Sequence, residues 1–372
     1  MRTSEMMTGF QKILVLFLLS LLCQLQAQGQ EKTEKLEAGA QYHYGFLWGH
    51  RTGLKVLNKG YVKSLELSFY KKFHGSEDWE LKYRYPSLGG SFMYFDFANP
   101  EQMGYGFAAF AFYDFPLVGG DNASLNFKIG LGPGYVTKVF ERNENIKNYG
   151  LSTRLNGFAY LSLKGKFRLY EGLKIHAGVA LSHFSNASYK KPNLGINLPS
   201  ATLGLTYGFQ EVELLPRKER SAYTFAKKID HDVFLNYGMK EKNPVGGELH
   251  EVYSLSYSAS RLVTFKSRVG LGMDMFYNSA YKGELNGNGQ VIERFGQVFQ
   301  LGFSVLYAVQ VSNFSIIMNP GYYVVTDYIE DGYVYSRFGA RYVWKDHYML
   351  NISMKTHFAV ADHVEYGIGY RF

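Results

Sequence analysis

Apolar and polar residues alternate along most of this chain, and that alternation leaves few folds open. In one stretch Leu173, Ile175, Ala177, Val179 and Leu181 interleave with Lys174, His176, Gly178, Ala180 and Ser182. Successive side chains of a β-strand point to opposite faces, so such a segment has one apolar wall and one mixed or polar wall. In the first half the pattern predicts strands at 62–71, 78–85, 89–98, 104–114, 124–139, 154–169, 173–184 and 200–209. In the second half it predicts 231–238, 248–259, 262–277, 295–309, 312–324, 333–344, 347–357 and 363–372. A further strand-like piece, 39–49, has no evident place and reads as a lumenal or periplasmic segment.

The segments are rich in aromatic side chains, with 31 Tyr and 29 Phe in the chain. Alternating strands with rings to spare for two interfacial girdles fit a transmembrane β-barrel. A soluble all-β protein is the alternative. The expected fold is therefore all-β, a transmembrane antiparallel barrel of about sixteen strands. One large barrel is favoured over two tandem eight-stranded barrels, because a single chain usually closes a single barrel. The halves nevertheless end alike, in Leu203-Gly204-Leu205-Thr206-Tyr207-Gly208-Phe209 and Tyr366-Gly367-Ile368-Gly369-Tyr370-Arg371-Phe372. A duplication would leave such endings. The expected division is a leader at 1–27, a first barrel unit at 28–209 and a second eight-strand region of unassigned role at 210–372.

The leader reads as a secretory signal. Lys12 precedes an apolar run from Ile13 to Leu22, too short to span a bilayer as a helix, and Leu25-Gln26-Ala27 supplies a cleavage site. The chain's one cysteine, Cys23, lies within it, after a Leu22 that is not the small residue a lipoprotein signal needs. The mature chain then has neither disulfides nor thiolate metal sites. The formal charge of +8 falls to +7 once Arg2, Glu5 and Lys12 leave. A basic exported protein meets anionic lipid head groups, and export argues against nucleic acid.

The last predicted strand ends on an aromatic, Phe372, which resembles the assembly signal of bacterial outer-membrane barrels. Placing that end in the periplasm and counting back puts the short links 345–346, 260–261 and 170–172 there. The longer links 278–294, 185–199 and 140–153 fall outside, the usual asymmetry of such barrels. The misfit is the long link 210–230, with Pro216, Arg217, Lys218, Glu219 and Arg220, which marks a junction between two units.

The chemistry concentrates in His183-Phe184-Ser185-Asn186-Ala187, followed by Lys190-Lys191-Pro192-Asn193-Leu194-Gly195-Ile196-Asn197. His183 and Ser185 share one strand face, and they share it with the apolar residues. On a membrane barrel a base and a hydroxyl would stand together on the lipid side, which points to a lipid substrate. A lone His and Ser at a strand end are ordinarily just interfacial polar groups; the whole motif is more specific. It resembles the outer-membrane lipid A 3-O-deacylases, over about residues 40–209. The resemblance implies an eight-stranded barrel with a Ser-His-acid hydrolase site on its lipid-facing wall near the outer leaflet. It implies lipid A of lipopolysaccharide as substrate, and no metal or cofactor. Ser185 would be the nucleophile and His183 the general base. Asn186 would donate to the oxyanion, and Asn193 and Gly195 would shape the loop.

The family's third member is a glutamate fourteen residues after the histidine, where this chain has Asn197. Asparagine can hold an imidazole tautomer but brings no full charge. Glu141 and Glu144 on the preceding outer loop are candidates for a substitute acid. Lys190 and Lys191 read equally as phosphate ligands or solvated loop residues. His357 falls on the inward parity with no serine two residues on, and reads as structural. His43, His50 and His74 lack metal-ligand spacing. The competing functional reading is a porin-like or structural barrel with a vestigial site, which needs its polarity inside rather than on the outer wall.

Overall fold

A computed structural model describes residues 35–209, 214–216, 228–242, 245–358 and 360–372. The expected leader at 1–27 and most of the 210–227 link lie outside the described residues. The first eight strands are β1 (Lys35–Phe46), β2 (Tyr61–Lys72), β3 (Ser87–Asp96), β4 (Tyr105–Gly119), β5 (Ala123–Val136), β6 (Leu155–Arg168), β7 (Leu173–Ser185) and β8 (Ile196–Gly208). The second eight are β9 (Asp230–Glu241), β10 (Leu249–Leu262), β11 (Ser267–Asn278), β12 (Phe299–Val311), β13 (Phe314–Val325), β14 (Val334–Trp344), β15 (Tyr348–His357) and β16 (Val360–Arg371). All neighbours are antiparallel. The sixteen strands form two closed barrels, β1–β8 and β9–β16.

The division follows the second of the two expected arrangements rather than the favoured single ring. β8 turns back to pair with β1, with Tyr42 opposite Leu203, and β16 pairs with β9, with Ile368 opposite Leu235. The two like-sounding endings are thus two closing strands. Two further expectations are corrected. The unplaced 39–49 piece is most of β1, a full wall strand with Glu37, Gln41 and His43 inward and Tyr42, Tyr44 and Phe46 outward. The expected strand at 78–85 is instead a helical turn, Asp78–Lys82, with Asp78 and Glu80 in its first turn. Its aromatic pair Trp79 and Tyr83 sits at the i, i+4 spacing of one helix face, a period an alternation count misreads. Tyr83 packs with Phe115, 5.2 Å between centroids, and Trp79 against the same cluster, and Arg84 and Tyr85 then take left-handed φ of 63° and 57°.

The barrels are apolar outside and packed inside. On the outer walls Leu65, Leu67, Leu203, Leu205, Leu350 and Ile352 are all exposed. Continuous apolar surface of this kind marks contact with lipid or protein. An eight-stranded ring is just wide enough for side chains to fill, and both lumens are filled. In the first, Glu66 accepts from Lys128 Nζ, from Ser68 Oγ at 2.8 Å and from Ser91 Oγ at 2.7 Å, with His43 Nε2 at 3.3 Å. In the second, Arg337 pairs with Asp274 at 2.6 Å and Glu365 at 2.9 Å. Buried charges persist only when paired and hydrogen-bonded in this way. The porin-like reading needs a lumen lined by polar groups in contact with water, whereas Lys128, Glu66, Arg337 and Lys355 are all buried.

Strand order puts the links 47–60, 97–104, 137–154 and 186–195 at one end of the first barrel and 242–248, 279–298, 326–333 and 358–359 at the corresponding end of the second. The other end carries tight turns such as 120–122, 169–172 and 345–347, as the counting predicts, together with the helical 73–86 link.

Candidate active site

β7 reaches the long-loop end of the first barrel and presents His183 and Ser185 on its outer face. Phe184 between them decides this. Its ring is fully buried against Phe158 at 4.8 Å and Phe95 at 5.1 Å between centroids. Gly134 makes room for it, since a Cβ there would lie 2.6 Å from the ring. With Phe184 seated in the lumen, the pleat turns its two neighbours outward.

Register then brings the third residue in. His183 lies directly opposite Asn197 on β8, and their side chains meet, Nδ1 to Oδ1 at 2.7 Å. An amide oxygen can only accept, so the ring carries its proton on Nδ1 and keeps the Nε2 lone pair free. Asn197 Nδ2 lies 3.3 Å from His50 Nδ1, in the first outer link, which the sequence reading did not connect to the site.

Ser185 Oγ accepts two hydrogen bonds, from Ala187 N at 3.0 Å and from Asn193 Nδ2 at 2.9 Å. Its own proton is left to donate. Asn193 Oδ1 in turn accepts from Asn186 N at 3.2 Å. Asn193 therefore spans the loop and aims a donor at the serine. The Asn186 amide points elsewhere, donating to Thr153 Oγ1 at 3.0 Å, Ser152 Oγ at 3.2 Å and Lys190 O at 2.8 Å. The expected oxyanion donor thus braces the loop with its side chain, while Ala187 N and Asn193 Nδ2 face the serine oxygen. Nothing in the sequence singles out Ala187, because its donor is the backbone.

The loop is held in an unusual shape. Ala187 and Ser188 adopt φ of 50° and 64°, a conformation that costs non-glycine residues about 1–3 kcal/mol each and persists where surrounding contacts enforce it. Gly195 has φ of 72°, and a Cβ there would lie 2.9 Å from His183 Cε1. A Gly195→Ala variant is expected to push the imidazole aside and to lower turnover about ten- to a hundredfold, measured as kcat of the folded protein. Unchanged kcat would mean that the ring position does not depend on that gap.

Residues 63–206 match the family described as lipid A 3-O-deacylase (PagL), and residues 229–372 match that described as acyloxyacyl hydrolase, C-terminal domain (PagL_C). The chain belongs to the lipid A 3-O-deacylase family. Members of this family are outer-membrane hydrolases acting on lipid A acyl chains, which the apolar outer walls of both barrels suit. No curated protein matches the chain. Similar solved structures include a mutant of the monoaromatic hydrocarbon channel TodX, with 9% identity over 92% of this chain and 91% of that one and a TM-score of 0.19. They also include a mutant Rh. blastica porin, with 10% identity over 91% and 100% and a TM-score of 0.19. The Pseudomonas putida toluene transporter TodX has 10% identity over 92% and 89% and a TM-score of 0.16.

The remaining expected residues separate clearly in this deacylase-family chain. Glu141 bridges to Asn145, and both it and Glu144 are exposed. The His183 nitrogen they would serve is occupied by Asn197. Lys190 is exposed beside the site, whereas Lys191 is partly buried. Burial, and then the nearby Lys240, hold the Lys191 ammonium below its ordinary value. In the second barrel His357 Nδ1 lies 3.7 Å from Asp331 and 4.0 Å from Asp362. Asp362 already pairs with Lys240 and, at 2.8 Å, with Lys355, so this group is an ion-pair cluster with its charge met from within. His357 itself is buried, with Nε2 3.1 Å from Tyr323 OH.

Proposed function

We propose that this chain is an outer-membrane serine esterase that removes one ester-linked acyl chain from lipid A, with its reaction centre on the outer wall of the first barrel near the outer leaflet. The observation that carries the reading is the His183 ring, oriented by Asn197 so that an unprotonated Nε2 stands on the same lipid-facing wall as the Ser185 hydroxyl.

Ser185 Oγ attacks the ester carbonyl while its proton passes to His183 Nε2. Negative charge moves to the carbonyl oxygen, and Asn193 Nδ2 and Ala187 N, the donors beside Ser185 Oγ, are assigned to meet it. Donors aimed at charge that develops in the transition state contribute about 100- to 1000-fold each. The C–O bond to the sugar or hydroxyacyl oxygen then breaks, and that oxygen takes the proton from the imidazolium. Water, deprotonated by the same Nε2, releases the fatty acid from Ser185 and restores the hydroxyl. Asn197 stabilises the imidazolium through a dipole only, where a carboxylate would add a full charge. The steps need no cofactor. Lys190 supplies a point charge suited to a lipid A phosphate.

The test is mass spectrometry of lipid A from cells producing this chain or its Ser185→Ala variant at equal outer-membrane level. The expected result is loss of one acyl chain with the parent and intact lipid A with the variant. The mass lost distinguishes a 3-O-linked chain from a secondary acyloxyacyl chain. Intact lipid A in both would overturn the reading.

A further inference from the structure

We propose that the second barrel serves as a clamp that keeps the Ser185 loop in its working shape, with Glu241 as the positioning residue. This rests on the esterase reading above and assigns a role to the half of the chain that carries neither His183 nor Ser185. The loop 186–195 does not stand alone at the rim of the first barrel. Among the described residues, hydrogen bonds from two positions of the loop tie it to the rim of the second. Ser188 O accepts from Glu241 N at 3.0 Å. Ser188 Oγ donates to Ala361 O, at the start of β16, at 2.8 Å. Lys191 N donates to Glu241 Oε2 at 2.6 Å.

The tied residues are the ones that matter for the serine. Ser188 follows Ala187, whose N–H reaches Ser185 Oγ, and Lys191 stands two residues before Asn193, whose amide reaches the same oxygen. Both donors to Ser185 are therefore set by short backbone segments that the second barrel grips. The grip also explains how Ala187 and Ser188 hold their left-handed conformations, which need outside contacts to persist.

Glu241 is built for this task. It ends β9, is 2% exposed, and spends both carboxylate oxygens on backbone N–H groups. Oε2 takes Lys191 N, while Oε1 takes Gly246 N and, at 2.9 Å, Gly247 N. One side chain thus joins the catalytic loop to the 242–248 turn of its own barrel. Arg142, on the neighbouring outer link of the first barrel, reaches the same turn through Val245 O. Glutamine has the same shape but only one accepting oxygen. Either way round, its NH₂ would face an N–H group, leaving a buried donor unmet.

The experiment compares the full-length parent, Glu241→Gln and Ser188→Ala, each purified and folded in detergent micelles. Deacylation of lipid A gives kcat and KM, and hydrogen exchange read by mass spectrometry follows the 186–195 peptide. Glu241→Gln is expected to lower kcat about ten- to a hundredfold, as small displacements of reacting groups do, with KM within about twofold. Exchange in 186–195 should rise while peptides from the β12–β14 wall stay unchanged. Ser188→Ala, which loses only the tie to Ala361, should show the same pattern in weaker form. Parental kcat and unchanged loop exchange in both variants would overturn the clamp. A parent inactive on lipid A, with loop exchange still raised in Glu241→Gln, would overturn the esterase reading and leave the clamp standing.

Discussion

A Ser185→Ala protein is expected to release fatty acid from lipid A at least about a thousand times more slowly than the parent, and adding His183→Ala to it should cost almost nothing more. The two groups act on one proton in one step. Removing the hydroxyl leaves the imidazole nothing to deprotonate in the attack, and removing the imidazole leaves the hydroxyl at its ordinary, weak nucleophilicity. The losses therefore overlap instead of multiplying. What remains comes from donors such as Asn193 Nδ2, 2.9 Å from the serine oxygen and untouched by either change. The measurement is a double-mutant cycle on kcat/KM with purified protein in lipid A–detergent micelles. Losses that multiply would show that the two side chains work in separate steps, and the dyad would have to be abandoned.

The second large effect is on stability. Lys128→Met is expected to destabilise the protein by about 3–5 kcal/mol, and the double variant Lys128→Met with Glu66→Gln should recover most of it. Lys128 and Glu66 are paired in the lumen at 0% and 1% side-chain exposure. The ammonium also sits 3.6 Å from the Phe112 ring centroid. Removing the lysine alone strands a carboxylate among Phe110, Phe112 and Tyr160, met by the Ser68 and Ser91 hydroxyls, the Gln41 amide and His43 but by no lysine ammonium at hydrogen-bond distance. Removing both charges leaves polar groups that Ser68 and Ser91 still satisfy. Urea unfolding in lipid vesicles, followed by far-UV circular dichroism, gives the three free energies. A double variant as unstable as the single one would show that packing, not charge, sets the cost.

The strands were legible wherever both walls carried their own signal. β7 and β15 alternate cleanly because one side meets apolar surroundings and the other the lumen. β1 was harder, since Gln41 and His43 on its inner wall and Gly39 and Gly45 along it resemble a loop until β2 and β8 are seen on either side. At 78–85 aromatic residues suited to a strand form a helical turn instead, because Trp79 and Tyr83 find packing partners at i, i+4. The inference that His183 and Ser185 face outward needed only parity. The partnership of His183 with Asn197 was expected from the fourteen-residue spacing that the family resemblance implies, and the β7–β8 register places the two directly opposite.

By itself the sequence determined a chain of alternating strands with a His-Phe-Ser triplet on the apolar wall, because side-chain parity is a local property of an extended backbone. Only the tertiary structure decided that β8 closes on β1 and β16 on β9, that Ala187 N and Asn193 Nδ2 rather than the Asn186 amide face Ser185, and that Glu241 reaches across to Lys191. Each of those outcomes involves a backbone donor or acceptor, and apart from the missing N–H of proline every residue carries these alike. Sequence patterning cannot rank such pairings; the geometry of two closed rings can.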